Sequence, residues 1–137
     1  ARGFLGLLGH PRAIGEAFHI TSDEFLTWNQ IYELTAQAAG VTPQLVHVPS
    51  ELIAAYDPEW GAGLLGDKTH SMIFDNSKIK RLVPDFNAAI PFASGVKETV
   101  AWLDAHPVNQ QLDANLNAML DHIIAAYERA WPHAATA

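Results

Sequence analysis

The sequence predicts an α/β fold: a small parallel sheet built on a βαβ unit, with several helices and a long C-terminal helix. Three observations point there. Ala17-Phe18-His19-Ile20 is a short apolar run bounded by Gly15 and by Ser22-Asp23, the pattern of a buried strand. Gln44-Leu45-Val46-His47-Val48 is a second such run, closed by Pro49. A capped helical pattern lies between them, and a strand, a crossover helix and a strand form a right-handed parallel unit.

The elements follow in order. Residues 16–21 are the first predicted strand. Thr27-Trp28-Asn29-Gln30 has capping-box form: the hydroxyl can accept from the backbone N–H three residues on, and the glutamine can reach back. Ile31, Leu34 and Ala38 continue at helical spacing, and Gly40 supplies the stop. After the second strand, Ser50 caps a short helix to about Tyr56, which Asp57-Pro58 ends. The segment from Asp57 to His70 holds Gly61, Gly63 and Gly66 among Trp60, Leu64 and Leu65, and reads as a long loop or a broken helix. Ser71 to Asp75 resembles a third strand, and Asn76 to Leu82 a short helix closed by Pro84. Phe92, Val96, Val100 and Leu103 form the apolar stripe of a helix over 91–105. Leu116, Leu120, Ile123, Ile124, Tyr127 and Trp131 recur at three- and four-residue steps in a last helix over 113–131, with a small tail at 134–137.

Composition narrows the function. The 137 residues are 49% hydrophobic and 17% charged, enough for a real core and unlike a disordered tail. The formal charge of −7, from 15 acidic against 8 basic side chains, is the opposite of what a nucleic-acid-binding module carries. With no cysteine there is no disulfide, thiolate metal site or cysteine nucleophile. No apolar run is long enough to span a membrane, and no signal peptide is visible. A cytoplasmic location is the expectation that fits.

Few motifs carry chemistry. Gly3-x-x-Gly6-x-x-Gly9 spells a glycine repeat, but no strand precedes it and His10-Pro11 follows where a helix should open, so it reads as the end of a helix rather than a phosphate loop. The seven histidines include no pair at ligand spacing; the closest, His10 and His19, are nine positions apart. His19 and His47 could meet on adjacent parallel strands, without a third ligand to complete a metal site. Lys78, Lys80 and Arg81 are a basic cluster, either a phosphate patch or a solvated helix face. No nucleophile elbow, Walker loop or helical His-Glu-x-x-His is present. Asp67, Lys68 and His70 lie in the glycine-containing segment with Trp60, and loops carry function more often than cores do.

Several phrases, in order and spacing, resemble the C-terminal part of the extended short-chain dehydrogenase/reductase family, the NAD-dependent epimerase/dehydratase group. They are Gly15-Glu16-Ala17-Phe18-His19-Ile20-Thr21-Ser22, Leu26-Thr27-Trp28, Ala39-Gly40-Val41 and Val46-His47-Val48-Pro49-Ser50. Phe74-Asp75-Asn76-Ser77-Lys78-Ile79, Leu82-Val83-Pro84, Pro91-Phe92-Ala93-Ser94-Gly95-Val96 and Thr99-Val100-Ala101-Trp102 complete the set. The resemblance covers residues 3–106.

It implies that 1–15 is a helix end and linker from an absent N-terminal Rossmann domain. Residues 16–110 would be the substrate-binding domain, 111–133 a C-terminal helical extension and 134–137 the tail. Family members use a Tyr-x-x-x-Lys signature, which none of Tyr32, Tyr56 and Tyr127 completes here. The resemblance therefore implies no catalytic and no cofactor-binding residue in this chain, NAD or NADP being held by the parent enzyme's other domain, and no metal. The substrate-binding candidates are Trp60, Asp67, Lys68 and His70, for a small-molecule substrate such as a sugar-related one. Between Ser50 and Phe74 there is no arginine to meet a sugar nucleotide's phosphates, only Lys68. A homodimer is compatible with the family. The competing readings are a free-standing α/β binding or protein-interaction module without catalysis, and a metal-dependent hydrolase using scattered histidines.

Overall fold

The computed structural model describes residues 1–130. The expected end of the last helix at Trp131 and the tail at 134–137 lie outside the described residues. The α-helices are α1 (Arg2–Leu7), α2 (Trp28–Ala38), α3 (Ser50–Tyr56), α4 (Pro58–Leu65), α5 (Ser77–Leu82), α6 (Phe92–Ala105) and α7 (Ala114–Ala130). Short 3-10 turns occupy Pro11–Ala13, Asp67–Thr69 and Pro107–Asn109.

No strand forms among the described residues, which overturns the predicted α/β fold, its βαβ unit and its parallel sheet. The three apolar runs at 16–21, 44–48 and 71–75 lie outside regular structure. The first shows why. A strand needs its backbone groups paired along a ladder, whereas here side chains take them. Thr21 N donates to Asn76 Oδ1 (3.2 Å) and Asn76 Nδ2 donates to Thr21 O (2.8 Å) and Ser22 O (3.3 Å). Lys78 Nζ donates to Ala17 O at 2.9 Å. In the third run Met72, Ile73 and Phe74 stay exposed, so it has no covered face of the kind a sheet would give it.

The helices are legible in the sequence because their ends carry local chemistry. Thr27 and Gln30 form the full capping box of α2: Gln30 N donates to Thr27 Oγ1 (3.3 Å) and Thr27 N to Gln30 Oε1 (2.8 Å). Asp57 Oδ1 accepts from Trp60 N at 2.9 Å and Pro58 occupies the first turn, so the segment after Tyr56 restarts as α4 instead of running on as a loop. Asp113 Oδ1 accepts from Asn115 N (2.9 Å) and Leu116 N (3.0 Å) at the start of α7.

The chain divides into two compact units: Ala1–Pro43 with Met72–Ala105, and Gln44–Ser71 with His106–Ala137. In the first, α1 packs on α5 and α2 on α6. Its buried side chains are Ile79, Phe86, Val96 and the polar Asn76. Glu24 Oε2 accepts from Phe92 N at 2.7 Å, placing a carboxylate on the opening turn of α6, where the helix dipole favours it. In the second unit α3 and α4 form a tight pair, α7 packs on α3, and Ile123 is the buried anchor.

Ion pairs clasp segment 16–23 to α5. Lys78 Nζ meets Glu16 Oε2 at 2.6 Å and lies 4.8 Å from the centre of the Phe18 ring; Lys80 Nζ meets Asp23 Oδ2 at 2.5 Å. The Lys78 hydrogen bond and charge hold the Glu16 carboxyl below its ordinary 4.5. Hydrogen bonds from Lys80 and then Asn76 hold Asp23 below 3.8, and those from the Ser77 hydroxyl and backbone hold Asp75 below 3.8. Carboxyls whose pKa is lower in the folded state stabilise it above their unfolded values and lose that contribution as pH falls through the folded ones. The urea midpoint is therefore expected to be flat from neutral pH down to about 5 and to drop below about 4. Lys78→Met with Lys80→Met should lower the neutral midpoint and shrink the acid drop. An acid drop of unchanged size in the double variant would contradict the clasp.

Candidate functional site

All four predicted site residues fall in the second unit, on α4 and the turn behind it. Gly61 faces α3, where a Cβ would collide with Ala54 Cβ and Cα. Trp60 and Gly63 stand one helical turn apart. Beyond Leu65 the chain folds back. Gly66 N donates to Ala62 O (3.0 Å), and Thr69 Oγ1 donates to Leu64 O (2.8 Å). Gly66 has the backbone for this bend: a Cβ there would sit 2.8 Å from Ala62 O.

The fold-back brings Lys68 over α4. Its Nζ lies 3.8 Å from where a Cβ on Gly63 would be, so the ammonium sits at an open notch beside the turn that carries Trp60. Asp67 Oδ1 is 3.5 Å from Lys68 Nζ, and both side chains are more than half exposed. Such a pair is weak and leaves the ammonium accessible. The structure thus brings Lys68, with Asp67 beside it, to Gly63, and Trp60 stands one turn earlier on the same helix. His70 follows the turn, is exposed, and makes no hydrogen bond or ion pair with the other three. Tyr56 is half-exposed at the end of α3, four residues before Trp60 in sequence and across the break at Asp57-Pro58.

The remaining candidates resolve into structural roles. Of the basic cluster, Lys78 and Lys80 are ion-paired to Glu16 and Asp23, and Arg81 Nη1 donates to Ser77 Oγ at 3.3 Å. The strand pairing expected to join His19 and His47 is absent with the strands. The His19 ring packs against Phe74, centroids 4.9 Å apart and tilted by 45°. Among the described residues no group of three or more His, Cys, Asp or Glu side chains could hold a metal ion, and no helix is long and apolar enough to cross a membrane. Gly3 meets Ile20, Ile79 and Phe86, and Gly6 meets Val83 of the residue following α5. These two glycines are contact points where α1 approaches its neighbours closely.

Asn76 is the residue whose importance the sequence hides most completely. It reads there only as the first residue of a short helix. In the structure it is buried, with its amide oxygen accepting from Thr21 N and Thr21 Oγ1 and its amide nitrogen donating to Thr21 O, Ser22 O and Asp23 Oδ1. Comparison with family models, with curated proteins and with solved structures returns no match for this chain.

Proposed function

We propose that the chain is the substrate-binding portion of an NAD(P)-dependent epimerase, dehydratase or reductase of the extended short-chain dehydrogenase/reductase type. A Rossmann domain outside this chain would hold the cofactor and the acid/base tyrosine. The ordered set of phrases between residues 15 and 102 supports the family reading. Trp60, Asp67, Lys68 and His70 would contact the substrate.

The observation that carries the reading is α1. Its Gly3 and Gly6 side packs on the α5 region, yet Phe4 and Leu5 on its other sides and Leu8 just past its end are 70%, 70% and 81% exposed. A helix that leaves Phe4 and Leu5 in solvent away from its packed side has apolar surface left to cover, and a cofactor domain packed over it would cover that surface. A free-standing module has no reason to leave that face open.

The test is calorimetric titration of NADH and NADPH into the chain. The expected result is no binding up to millimolar cofactor, since the site belongs to the other domain. Micromolar binding of either would overturn the proposal.

A further inference from the structure

We infer that a second copy of this chain docks on α2, forming an antiparallel helix pair about a two-fold axis. This contact is independent of the substrate-binding reading and uses a different helix from α1. Ile31, Leu34 and Ala38 of α2 are half-buried, and α2 packs on α6. A second stripe runs beside that one: Trp28, Tyr32, Thr35 and Ala39, the last of them the residue that caps the helix end, all exposed. Their four-three-four spacing places them on one seam. Trp28 and Tyr32 are 65% and 57% exposed and their ring centres lie 6.2 Å apart, so they present one aromatic surface. Thr35 Oγ1 donates to Ile31 O at 2.7 Å, which uses up its hydroxyl within the helix.

The occupant follows from the order of sizes. The seam is large in its first half and small in its second. An antiparallel copy sets Trp28 and Tyr32 of each chain against Thr35 and Ala39 of the other. Large then meets small at both ends, the self-complementarity that an isologous interface requires. Charge points the same way. Two chains of formal charge −7 repel each other, but between Phe25 and Pro43 the only charged side chain is Glu33. The helical repeat places it about a third of a turn away from the seam. The area is enough for a weak dimer. A fully buried aromatic side chain contributes about 150–250 Å², so four rings a little more than half open would cover roughly 500 Å². The surfaces that receive them lose a similar area, which brings the total to about 1,000 Å², the lower limit for a specific interface.

The experiment is sedimentation equilibrium of the chain from about 10 µM to about 0.5 mM, the range in which so small an interface dissociates. The weight-average mass is expected to rise from monomer towards dimer, and to rise sooner at higher salt, which screens the mutual repulsion. Tyr32→Lys and Thr35→Glu, both at exposed positions, should each weaken association at least tenfold without shifting the urea midpoint. Mixing the two variants should restore it, because antiparallel pairing brings the introduced ammonium against the introduced carboxylate. Leu5→Asp with Leu8→Asp should leave association unchanged. A chain that stays monomeric at the top of the range overturns the inference. Association that survives Tyr32→Lys but is lost with Leu5→Asp and Leu8→Asp puts the contact on α1 and overturns it as well, with no bearing on the cofactor titration. A mixture that stays as weak as its two components overturns the antiparallel pairing.

Discussion

Replacing Asn76 by alanine should lower the stability of the first unit by about 2–3 kcal/mol, read as a reduced urea midpoint with an unchanged slope. The side chain is 4% exposed and joins Thr21, Ser22 and Asp23, residues 53 to 55 positions away. Removing it strands a part-buried N–H and a carbonyl oxygen that have no ladder to fall back on. Leaving such groups unpaired costs more than the bond was worth. Asn76→Asp separates the chemistry from the shape. It keeps the size but replaces the donor facing Thr21 O, Ser22 O and Asp23 Oδ1 with an acceptor, and adds a charge beside the Asp23 carboxylate. At neutral pH it should be at least as damaging as alanine. As pH falls and the new carboxyl gains a proton it can donate again, so its deficit should narrow relative to alanine. If Asn76→Ala stays within about 0.5 kcal/mol of the parent, the range typical of a featureless surface change, the network does not hold segment 16–24.

The second large effect is expected at Gly61. A methyl group there meets the Cβ and Cα of Ala54 and comes within 3.2 Å of Ala54 N. Two of these are backbone atoms, so α3 and α4 must separate. Overpacking of this kind costs about 1–3 kcal/mol, against a gain of about 1 kcal/mol in helix propensity from Gly to Ala. Gly61→Ala should therefore destabilise the second unit by up to about 2 kcal/mol, and Gly61→Val should do so more strongly. Ala54→Gly combined with Gly61→Ala tests the geometry. It removes the clash between the two methyl groups but leaves the new methyl pressed against the α3 backbone, so it should recover only part of the loss. Full recovery, or a Gly61→Ala chain as stable as the parent in thermal unfolding, would mean that the helices do not meet at this point.

Helices and strands differ in how much the sequence discloses. Thr27 with Gln30, Asp57 with Pro58 and Asp113 each act on backbone groups within a few residues, so their effect can be read from adjacent letters. A strand has no comparable local signal, because its hydrogen bonds depend on a partner chosen elsewhere in the chain. Ala17-Phe18-His19-Ile20 carries the composition of a strand, yet its backbone is met by Lys78 and the following Thr21 by Asn76. Nothing in Asp75-Asn76-Ser77 announces that this amide reaches back past fifty residues. The site is partly legible for the same reason. Asp67 and Lys68 are neighbours in sequence and in space, while the approach of Lys68 to Gly63 depends on the fold-back at Gly66.

Dye binding tests most directly whether α1 is built to be covered on both sides, the central claim. The chain should enhance the fluorescence of an anionic naphthalene dye that binds exposed apolar surface. Leu5→Asp with Leu8→Asp should remove more than half of that enhancement without shifting the urea midpoint, because these side chains are largely exposed in the first unit. A chain that leaves the dye dark, or a double variant that binds it as well as the parent, would contradict the claim that this face seats a further domain.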